Sequence, residues 1–403
     1  MFILLVSLSL LILLLSGCLC LMAKRYLVAL YTVCYSVPFL ALTSCFWSET
    51  VILWPVDGYE FYLDDPLVFR LALVWFLGVT GAFVAYLLSL LMPSYSTTTG
   101  GKTVFSSIDL KSSGILFFGL SVFFILFRLI NADAMLATFA GVESLVVFSI
   151  IMVSALALAY PSPFLFLVSA MLVVCYCVAN AMTGDRDFVV LVVAYILGIM
   201  FRYRYSIRPR ILVLVGCLML VLLAAGVIVS MIRMDVELTV ANIAQYFLFN
   251  SWNAIILPLV EQLTLFWDGE HLRYGKTYLD MFLSLAPSPI YSALAVEKPI
   301  VVDNPALWYY VPGLGGIHVA GVAFENFGLL GVFLNGFISM CFLRLIDARC
   351  RNDNFLRFFL YMLCSASVMH WVWYGEIYLL NALVFYVMAL GLFLAMKLFR
   401  GIC

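Results

Sequence analysis

The sequence predicts an all-α integral membrane protein, a polytopic bundle of about 11–12 transmembrane helices. Composition carries most of this prediction: of 403 residues, 66% are hydrophobic and 11% are charged. Soluble domains have about 45–50% apolar and about 25% charged residues, so a soluble fold of this composition would lack polar groups to cover its surface. The apolar residues also form long runs, many of them close to the roughly 20 residues that a bilayer-spanning helix needs.

Each apolar run is predicted to be a helix, because backbone polar groups find no water to bond in hydrocarbon. The first run is followed by a basic pair, Lys24 and Arg25. A secretory signal carries its basic residues before the run, so we predict a membrane helix here. The predicted helices cover residues 2–23, 26–46, 67–92, 114–131, 142–160, 163–181, 187–201, 211–232, 318–343, 355–373 and 377–396.

The distribution of basic residues predicts the orientation of these helices. With Lys24 and Arg25 in the cytoplasm, strict alternation places 14 of the 21 lysines and arginines inside and 19 of the 22 acidic residues outside. The basic stretches 201–210, 343–357 and 397–400 all fall on the cytoplasmic side. A single choice of orientation for the first helix therefore places every loop on the side that its charge predicts.

Two segments on the predicted outer side are unusual. Residues 47–66 are acidic and aromatic, and residues 233–317 are far longer than an ordinary connection. Within the long loop, residues 245–267 are apolar but contain Asn, Glu and Gln, which is typical of helices lying at the membrane interface. We therefore predict a transmembrane bundle over 1–232, a large external loop with interfacial helices, and C-terminal transmembrane helices over 318–403.

Several function classes are not favoured by the sequence. The net charge of −1 indicates no nucleic-acid partner, and the 11 cysteines fall mostly inside apolar runs without a metal-ligand spacing. No Walker loop, GxSxG elbow, HExxH or dinucleotide fingerprint is present. We expect neither a metal nor a cofactor, so the chemistry needs a substrate that is already activated, such as a lipid-diphosphate-linked sugar.

Seven lysines and arginines lie on the predicted outer side, against the charge bias, so we expect them to have a role. Those at outer helix ends lie at the depth of lipid phosphates, which guanidinium groups bind through bidentate hydrogen bonds. The alternative is pairing with neighbouring carboxylates, for example Arg186 with Asp185 or Asp187. For the group together, phosphate binding is the better explanation. The seven are Arg70, Arg128, Arg186, Arg233, Arg273, Lys276 and Lys298.

A glycine-rich segment, residues 312–328, contains His318, Glu325 and Asn326 at the outer start of a predicted helix. Its glycines allow close approach of the backbone, and Glu325 follows His318 by about two helical turns. A histidine and a carboxylate at such an edge can supply a general base. The structural alternative is a hydrogen-bonded interfacial histidine with a helix-capping Glu–Asn pair.

Three segments resemble the O-antigen and enterobacterial common antigen polymerases, which join the repeat units of bacterial surface polysaccharides. Residues 182–196 (MTGDRDFVVLVVAYI) are similar to the family's Gly-x-Arg stretch at an outer helix start. Residues 273–299 resemble its loop pattern of Gly-x-x-Tyr, an apolar stretch, a proline and a later Lys-Pro. Residues 313–337 resemble its Asn-Phe-Gly-x-x-Gly helix start. Where the family's loop often has Pro-Arg, this chain has Pro-Ser-Pro at 287–289.

The resemblance implies a GT-C-like bundle in the bacterial inner membrane, with its active site facing the periplasm. The implied reaction moves a growing glycan from undecaprenyl diphosphate to a new lipid-linked repeat unit. Donor and acceptor would thus both be undecaprenyl-diphosphate-linked oligosaccharides, within membrane lipids, and a chain-length regulator protein is an expected partner.

The resemblance and the charge pattern together assign expected roles. Arg186 and Arg233 would bind the donor diphosphate, while Arg273 and Lys276 would contact the second diphosphate or the glycan. His318 and Glu325 are the candidate bases. Further candidate residues are Arg128 for diphosphate binding and, for stacking on sugars or contact with the glycan, Trp252, Trp267, Trp308, Tyr309, Tyr310 and Asn326.

Two other functions remain open from the sequence. An O-antigen ligase would share the outer arginines and the long loop, and it would differ by using lipid A–core as acceptor. A lipid-linked oligosaccharide flippase, from a different class, would be expected to show cationic residues inside a central cavity and two related halves, and neither is evident. Ion-coupled transporters usually show ionisable residues within their spans and broken helices. The predicted spans are nearly free of charge, which favours the polymerase.

Overall fold

The chain is described by a computed structural model in which 13 helices and a two-stranded sheet have defined bounds. The α-helices are α1 (Phe2–Met22), α2 (Tyr26–Ser36), α3 (Pro66–Leu91), α4 (Ala140–Ala159), α5 (Pro163–Met182), α6 (Phe188–Arg202), α7 (Ile256–Phe266), α8 (Lys276–Ser284), α9 (Ser288–Leu294), α10 (Val319–Arg349), α11 (Phe355–Tyr374) and α12 (Ile377–Ile402); a 3₁₀ helix covers Val37–Phe46, and the strands are β1 (Thr50–Trp54) and β2 (Tyr59–Tyr62). The structure describes residues 1–23, 25–54, 59–91, 115–123, 125–126, 140–160, 162–182, 188–202, 236–240, 242–243, 255–269, 271–286, 288–299, 318–350 and 355–402, with six positions between 221 and 232.

The chain divides into two compact units. The first contains residues 1–94, 240–345 and 368–380, and the second contains residues 95–239, 346–367 and 381–403. In the first, α1, α2 and α3 pack against one another, and α7 packs against α3. In the second, α4, α5 and α6 form a mutually packed group. Each of the three predicted segments, 1–232, 233–317 and 318–403, contributes residues to both units. Their status as domains stays a prediction.

Among the described residues, seven helical segments are long and apolar enough to cross a membrane, which confirms a multi-pass α-helical membrane protein. Hydropathy predicted their bounds closely: the predicted span 67–92 is observed at Pro66–Leu91, and 355–373 at Phe355–Tyr374. The predicted total of 11–12 spans stays a prediction, because the predicted spans 114–131 and 211–232 lie largely outside the described residues.

A β-hairpin occupies the acidic and aromatic segment 47–66, where the sequence predicted only an external loop. Val51 of β1 pairs with Phe61 of β2 in an antiparallel register. Both strands are rich in β-branched or aromatic residues, which suit a pleated surface. Val51 is fully buried, and the hairpin packs against the 3₁₀ helix that precedes it.

Glycines bring α3 and α10 into close contact in the first unit. A Cβ atom at Gly81 would overlap the backbone carbonyl of Phe333, and one at Gly336 would overlap the backbone carbonyl of Gly78. Small residues of this kind let helix backbones approach one another in membranes. The crossing therefore depends on the absence of side chains at these positions.

Gly336→Ala is expected to destabilise the protein by about 1–3 kcal/mol, because the added methyl group must displace backbone atoms of α3. Thermal unfolding in detergent measures the effect. The matched control is Gly17→Ala in α1, where a Cβ atom would meet nothing within 4 Å. Equal unfolding temperatures for the two variants would contradict the close crossing.

Candidate functional site

The helix α10 is broken near its start, whereas the sequence predicted an uninterrupted helix over 318–343. Phe327 (φ −139°, ψ 16°) and Gly328 (φ 61°, ψ −151°) have non-helical backbone angles. The conformation of Gly328 is almost restricted to glycine, because a Cβ atom clashes there. The break separates a first segment, Val319 to Asn326, from a longer second segment that ends at Arg349.

The break exposes backbone carbonyls that would otherwise accept bonds within the helix. Backbone N–H groups of the turn before α8 satisfy two of them: Arg273 N donates to Glu325 O at 2.9 Å, and Tyr274 N donates to Asn326 O at 3.1 Å. Tyr274 and Gly275 both have positive φ angles, 48° and 91°. The turn is thus shaped so that successive N–H groups point at the end of the first segment of α10.

The side chain of Asn326, at the end of the first segment of α10, in turn accepts hydrogen bonds from the start of α8. Its side-chain oxygen Oδ1 accepts the backbone N–H groups of Gly275 at 2.9 Å and Thr277 at 3.4 Å, at the start of α8. Its Nδ2 donates to Val322 O at 2.8 Å, which fixes the orientation of the amide. The turn before α8 therefore caps the end of the first segment of α10, and Asn326 of that segment caps the start of α8. We call this set of hydrogen bonds the reciprocal cap; it joins Arg273, Tyr274, Gly275 and Thr277 to Glu325 and Asn326. Asn326 is fully buried within it.

Glu325 lies beside the reciprocal cap and is 2% exposed. Its carboxylate accepts hydrogen bonds from Thr277 Oγ1 at 2.5 Å and from Gln262 Nε2 at 3.1 Å. Gln262 reaches this position from α7 because Gly321 has no side chain, and a Cβ atom there would overlap Gln262 Oε1. Three separate parts of the chain, α7, α8 and α10, are thus joined at one buried carboxylate.

His318 precedes α10 and is fully buried. Its Nδ1 accepts the backbone N–H of Ala320 at 3.1 Å, and its Nε2 lies 3.2 Å from the carbonyl oxygen of Tyr35, so Nε2 carries the proton. Burial lowers the pKa of His318 to about 3, and the hydrogen bond to Tyr35 offsets only part of this effect. Both ring nitrogens are therefore engaged in a neutral imidazole. Its role as a base stays a prediction.

Two arginines lie against neighbouring aromatic rings in the same unit. The guanidinium carbon of Arg70, in α3, lies 4.5 Å from the ring centroid of Trp267. Trp267 in turn stacks on Phe324 of α10, with 5.7 Å between centroids. The guanidinium carbon of Arg273 lies 5.9 Å from the centroid of Phe266. The end of α7 therefore brings both cations close to the segment that contains Glu325.

These arginines have unoccupied hydrogen-bonding capacity. Neither Arg70 nor Arg273 forms an ion pair with any described residue, and the same is true of the exposed Lys276 at the start of α8. Cation–π contacts orient a guanidinium group by its face and leave its N–H donors at the edge. The three side chains can therefore bind an anion with several oxygens, such as a diphosphate. We call them the cation group.

The structure brings together Glu325, Asn326, Arg273 and Lys276 of the predicted site, with Trp267 at its edge. Sequence reasoning did not single out Gln262 and Thr277, and it named Arg70 only as one of seven external cations. The remaining predicted residues lie outside the described residues; these are Arg128, Arg186, Arg233, Trp252, Trp308, Tyr309 and Tyr310.

No family model, no curated protein and no solved structure matches this chain. The resemblance to the polysaccharide polymerases therefore stays a prediction, and the functional argument depends on the geometry of the first unit.

Asn326→Ala is expected to lower the free energy of unfolding by about 1–3 kcal/mol, because one buried and one partly buried N–H group at the start of α8 lose their acceptor. Thermal unfolding in detergent and hydrogen exchange of the amides of Gly275 and Thr277 measure the loss. Thr264→Val is the control, since that exposed hydroxyl bonds only to Val260 of its own helix. Unchanged exchange of both amides would contradict the reciprocal cap.

Proposed function

We propose that this protein is an inverting glycosyltransferase that polymerises undecaprenyl-diphosphate-linked oligosaccharide repeat units at the periplasmic face of the bacterial inner membrane. One observation carries the proposal: the residues of the cation group lie on, or contact, the segments that meet at a buried, hydrogen-bonded carboxylate at a break in a membrane helix. Arg70 and Arg273 are held by aromatic rings and lack carboxylate partners among the described residues.

The proposed chemistry needs no nucleotide. The diphosphate of a lipid-linked glycan is a leaving group, and its departure from the anomeric carbon concentrates negative charge on the phosphate oxygens. Fixed guanidinium and ammonium groups stabilise that charge without reorganising during the reaction. Arg273 and Lys276 lie on either side of the turn that the reciprocal cap fixes, so their backbone positions are set before the substrate binds.

Glu325 is proposed to position this group. Its bond to Thr277 holds the start of α8, which carries Lys276, and its bond to Gln262 holds α7, which carries the ring beneath Arg273. Tyr274 is 75% exposed at the same turn and offers an aromatic face to a sugar. Protein aromatic rings and the apolar faces of sugars both lose water when they stack.

A flippase for the same substrate class is the second candidate. The observation that favours it is the break in α10 beside Glu325, because transporters commonly bind substrates or ions at discontinuous membrane helices. Both functions need cations for the lipid diphosphate, so the cation group does not separate them. The difference lies in the product: the polymerase makes longer glycans, and the flippase moves unchanged ones.

Reconstitution tests the proposal directly. Purified protein in liposomes, given lipid-linked repeat units isolated from the source cells, is expected to form a ladder of lipid-linked oligomers on gels and in mass spectra. A ladder only after addition of lipid A–core would instead indicate a ligase. Unchanged glycans that become accessible on the opposite leaflet would indicate the flippase.

Arg273→Ala is expected to slow ladder formation by about 10²–10³-fold, the usual effect of removing one fixed donor at a developing charge. Arg349→Ala is the matched control, since Arg349 is an exposed arginine at the far end of α10 and belongs neither to the cation group nor to the seven external cations. Equal rates in both variants would remove Arg273 from the site.

Arg186→Ala tests the expectation from the resemblance that Arg186 binds the donor diphosphate. The variant is expected to lose long glycan while the amount of membrane-inserted protein stays normal.

A further inference from the structure

A second buried polar cluster in the first unit involves the second segment of α10. Glu376, in the turn between α11 and α12, accepts a hydrogen bond on Oε1 from Asn335 Nδ2 at 2.8 Å. Its other oxygen, Oε2, is inaccessible to solvent and has no hydrogen-bond partner among the described residues. Oδ1 of Asn335 is likewise inaccessible to solvent and has no hydrogen-bond partner among the described residues. Buried acceptors of this kind are uncommon, because each loses its bonds to water without replacement.

Tyr278 links this cluster to the reciprocal cap. Its ring stacks on Phe327, one of the two non-helical residues at the break, with 6.4 Å between centroids. Burial raises the pKa of Tyr278 well above its usual range, and the negative charges of Glu376 and, to a smaller degree, Glu325 add to the effect. The phenol is therefore within electrostatic range of both carboxylates. Asn335 lies close enough to oppose part of this effect.

Of the residues that the structure describes, none near Glu376 supplies a positive charge. Glu325 faces it from the first segment of α10, Tyr278 from α8 and Tyr31 from α2. Neither carboxylate has a Lys, Arg or His partner within the part of the chain that the structure describes. Burial raises the pKa of Glu376 to about 7, and the charge of Glu325 adds to this, although the bond from Asn335 opposes it.

We propose that Glu376 is the proton acceptor of the glycosyl transfer, an inference that rests on the proposed function. In this step the O–H bond of the acceptor sugar breaks and its proton goes to Oε2 of Glu376. The sugar oxygen forms a bond to the anomeric carbon of the donor. The bond from that carbon to the diphosphate oxygen breaks, and its electron pair leaves with the diphosphate, which the cation group stabilises.

The geometry favours Glu376 over the two bases that the sequence suggested. Both ring nitrogens of His318 are engaged, and both oxygens of Glu325 already accept hydrogen bonds. Oε2 of Glu376 is the carboxyl oxygen left without a donor in this pair of carboxylates. A proton acceptor works best when its pKa lies near the working pH, because it is then partly ionised yet still basic. Hydrogen bonds to a substrate hydroxyl commonly form only in the complex.

The first arm of the test measures proton binding without any substrate. A carboxyl group whose pKa is raised from 4.5 in the unfolded chain to about 7 in the folded one stabilises the fold fully below pH 4.5. That contribution is lost as the pH rises through about 7. Between about pH 5 and about pH 8, the unfolding temperature of wild type in detergent is therefore expected to fall relative to that of Glu376→Gln. Parallel profiles for the two proteins would overturn the inference.

The second arm measures ladder formation from lipid-linked repeat units against pH. Glu376→Gln is expected to be slower by about 10²–10⁴-fold, to lose the rise in rate through about pH 7, and to bind the substrate as wild type does. Glu376→Asp, which keeps a carboxylate, is expected to retain a pH-dependent rate. The matched control is Glu261→Gln, the same change at a partly buried carboxyl of α7 whose pKa is also raised by burial.

The outcomes separate this inference from the proposed function. A wild-type ladder with an unchanged rate and pH profile in Glu376→Gln overturns the role of Glu376 and leaves polymerisation intact. A wild-type protein that binds the substrate but forms no ladder overturns the polymerase proposal and the catalytic inference together. If Glu376→Gln does not fold, a pH-independent rate in Glu376→Asp overturns the inference.

Discussion

The reciprocal cap is the constraint on which the arrangement of the first unit depends. A helix that ends inside a membrane protein leaves backbone carbonyls without partners, and hydrocarbon supplies no water to satisfy them. Here the turn at residues 273–275 supplies N–H groups, and Asn326 returns an acceptor to the start of α8. The positions of Arg273, Lys276 and Glu325 all follow from this exchange, because each lies on one of the two segments that it joins. A break in α10 without such a partner would be too costly to persist.

The sequence predicted the membrane helices well because one physical requirement, the removal of backbone polar groups from hydrocarbon, is visible in any window of 20 residues. The same averaging concealed the break in α10. Phe327 and Gly328 lie within an apolar run, and a window cannot distinguish a continuous helix from a short segment followed by a longer one. The paired strands β1 and β2 were missed for a related reason, since they are too short for a periodic signal beside the membrane spans.

The candidate site was predictable in part. Glu325 and Asn326 stood out as polar residues in a glycine-rich stretch, and Arg273 stood out as a cation on the side where cations are few. Gln262 and Glu376 gave no such signal, because a single polar residue in an apolar helix or in a short turn is common. Their environment comes from partners 63 and 41 residues away in the sequence, and only the folded chain reveals those pairings. Contacts between residues so far apart in the sequence leave no local sequence pattern from which they could be predicted.

The reciprocal cap also fixes an order of events during biosynthesis. Its two halves are 51 residues apart in the chain, so the turn at Gly275 leaves the ribosome well before Asn326 exists. At about 5–20 residues per second, that interval is roughly 3–10 s. During it, the amides of the turn must bond to water or lipid head groups outside the bilayer, and the eight-residue first segment of α10 is too short to cross a membrane when it emerges. The site is therefore assembled after insertion, when α10 docks onto a turn that was synthesised earlier, and it cannot form residue by residue during translation.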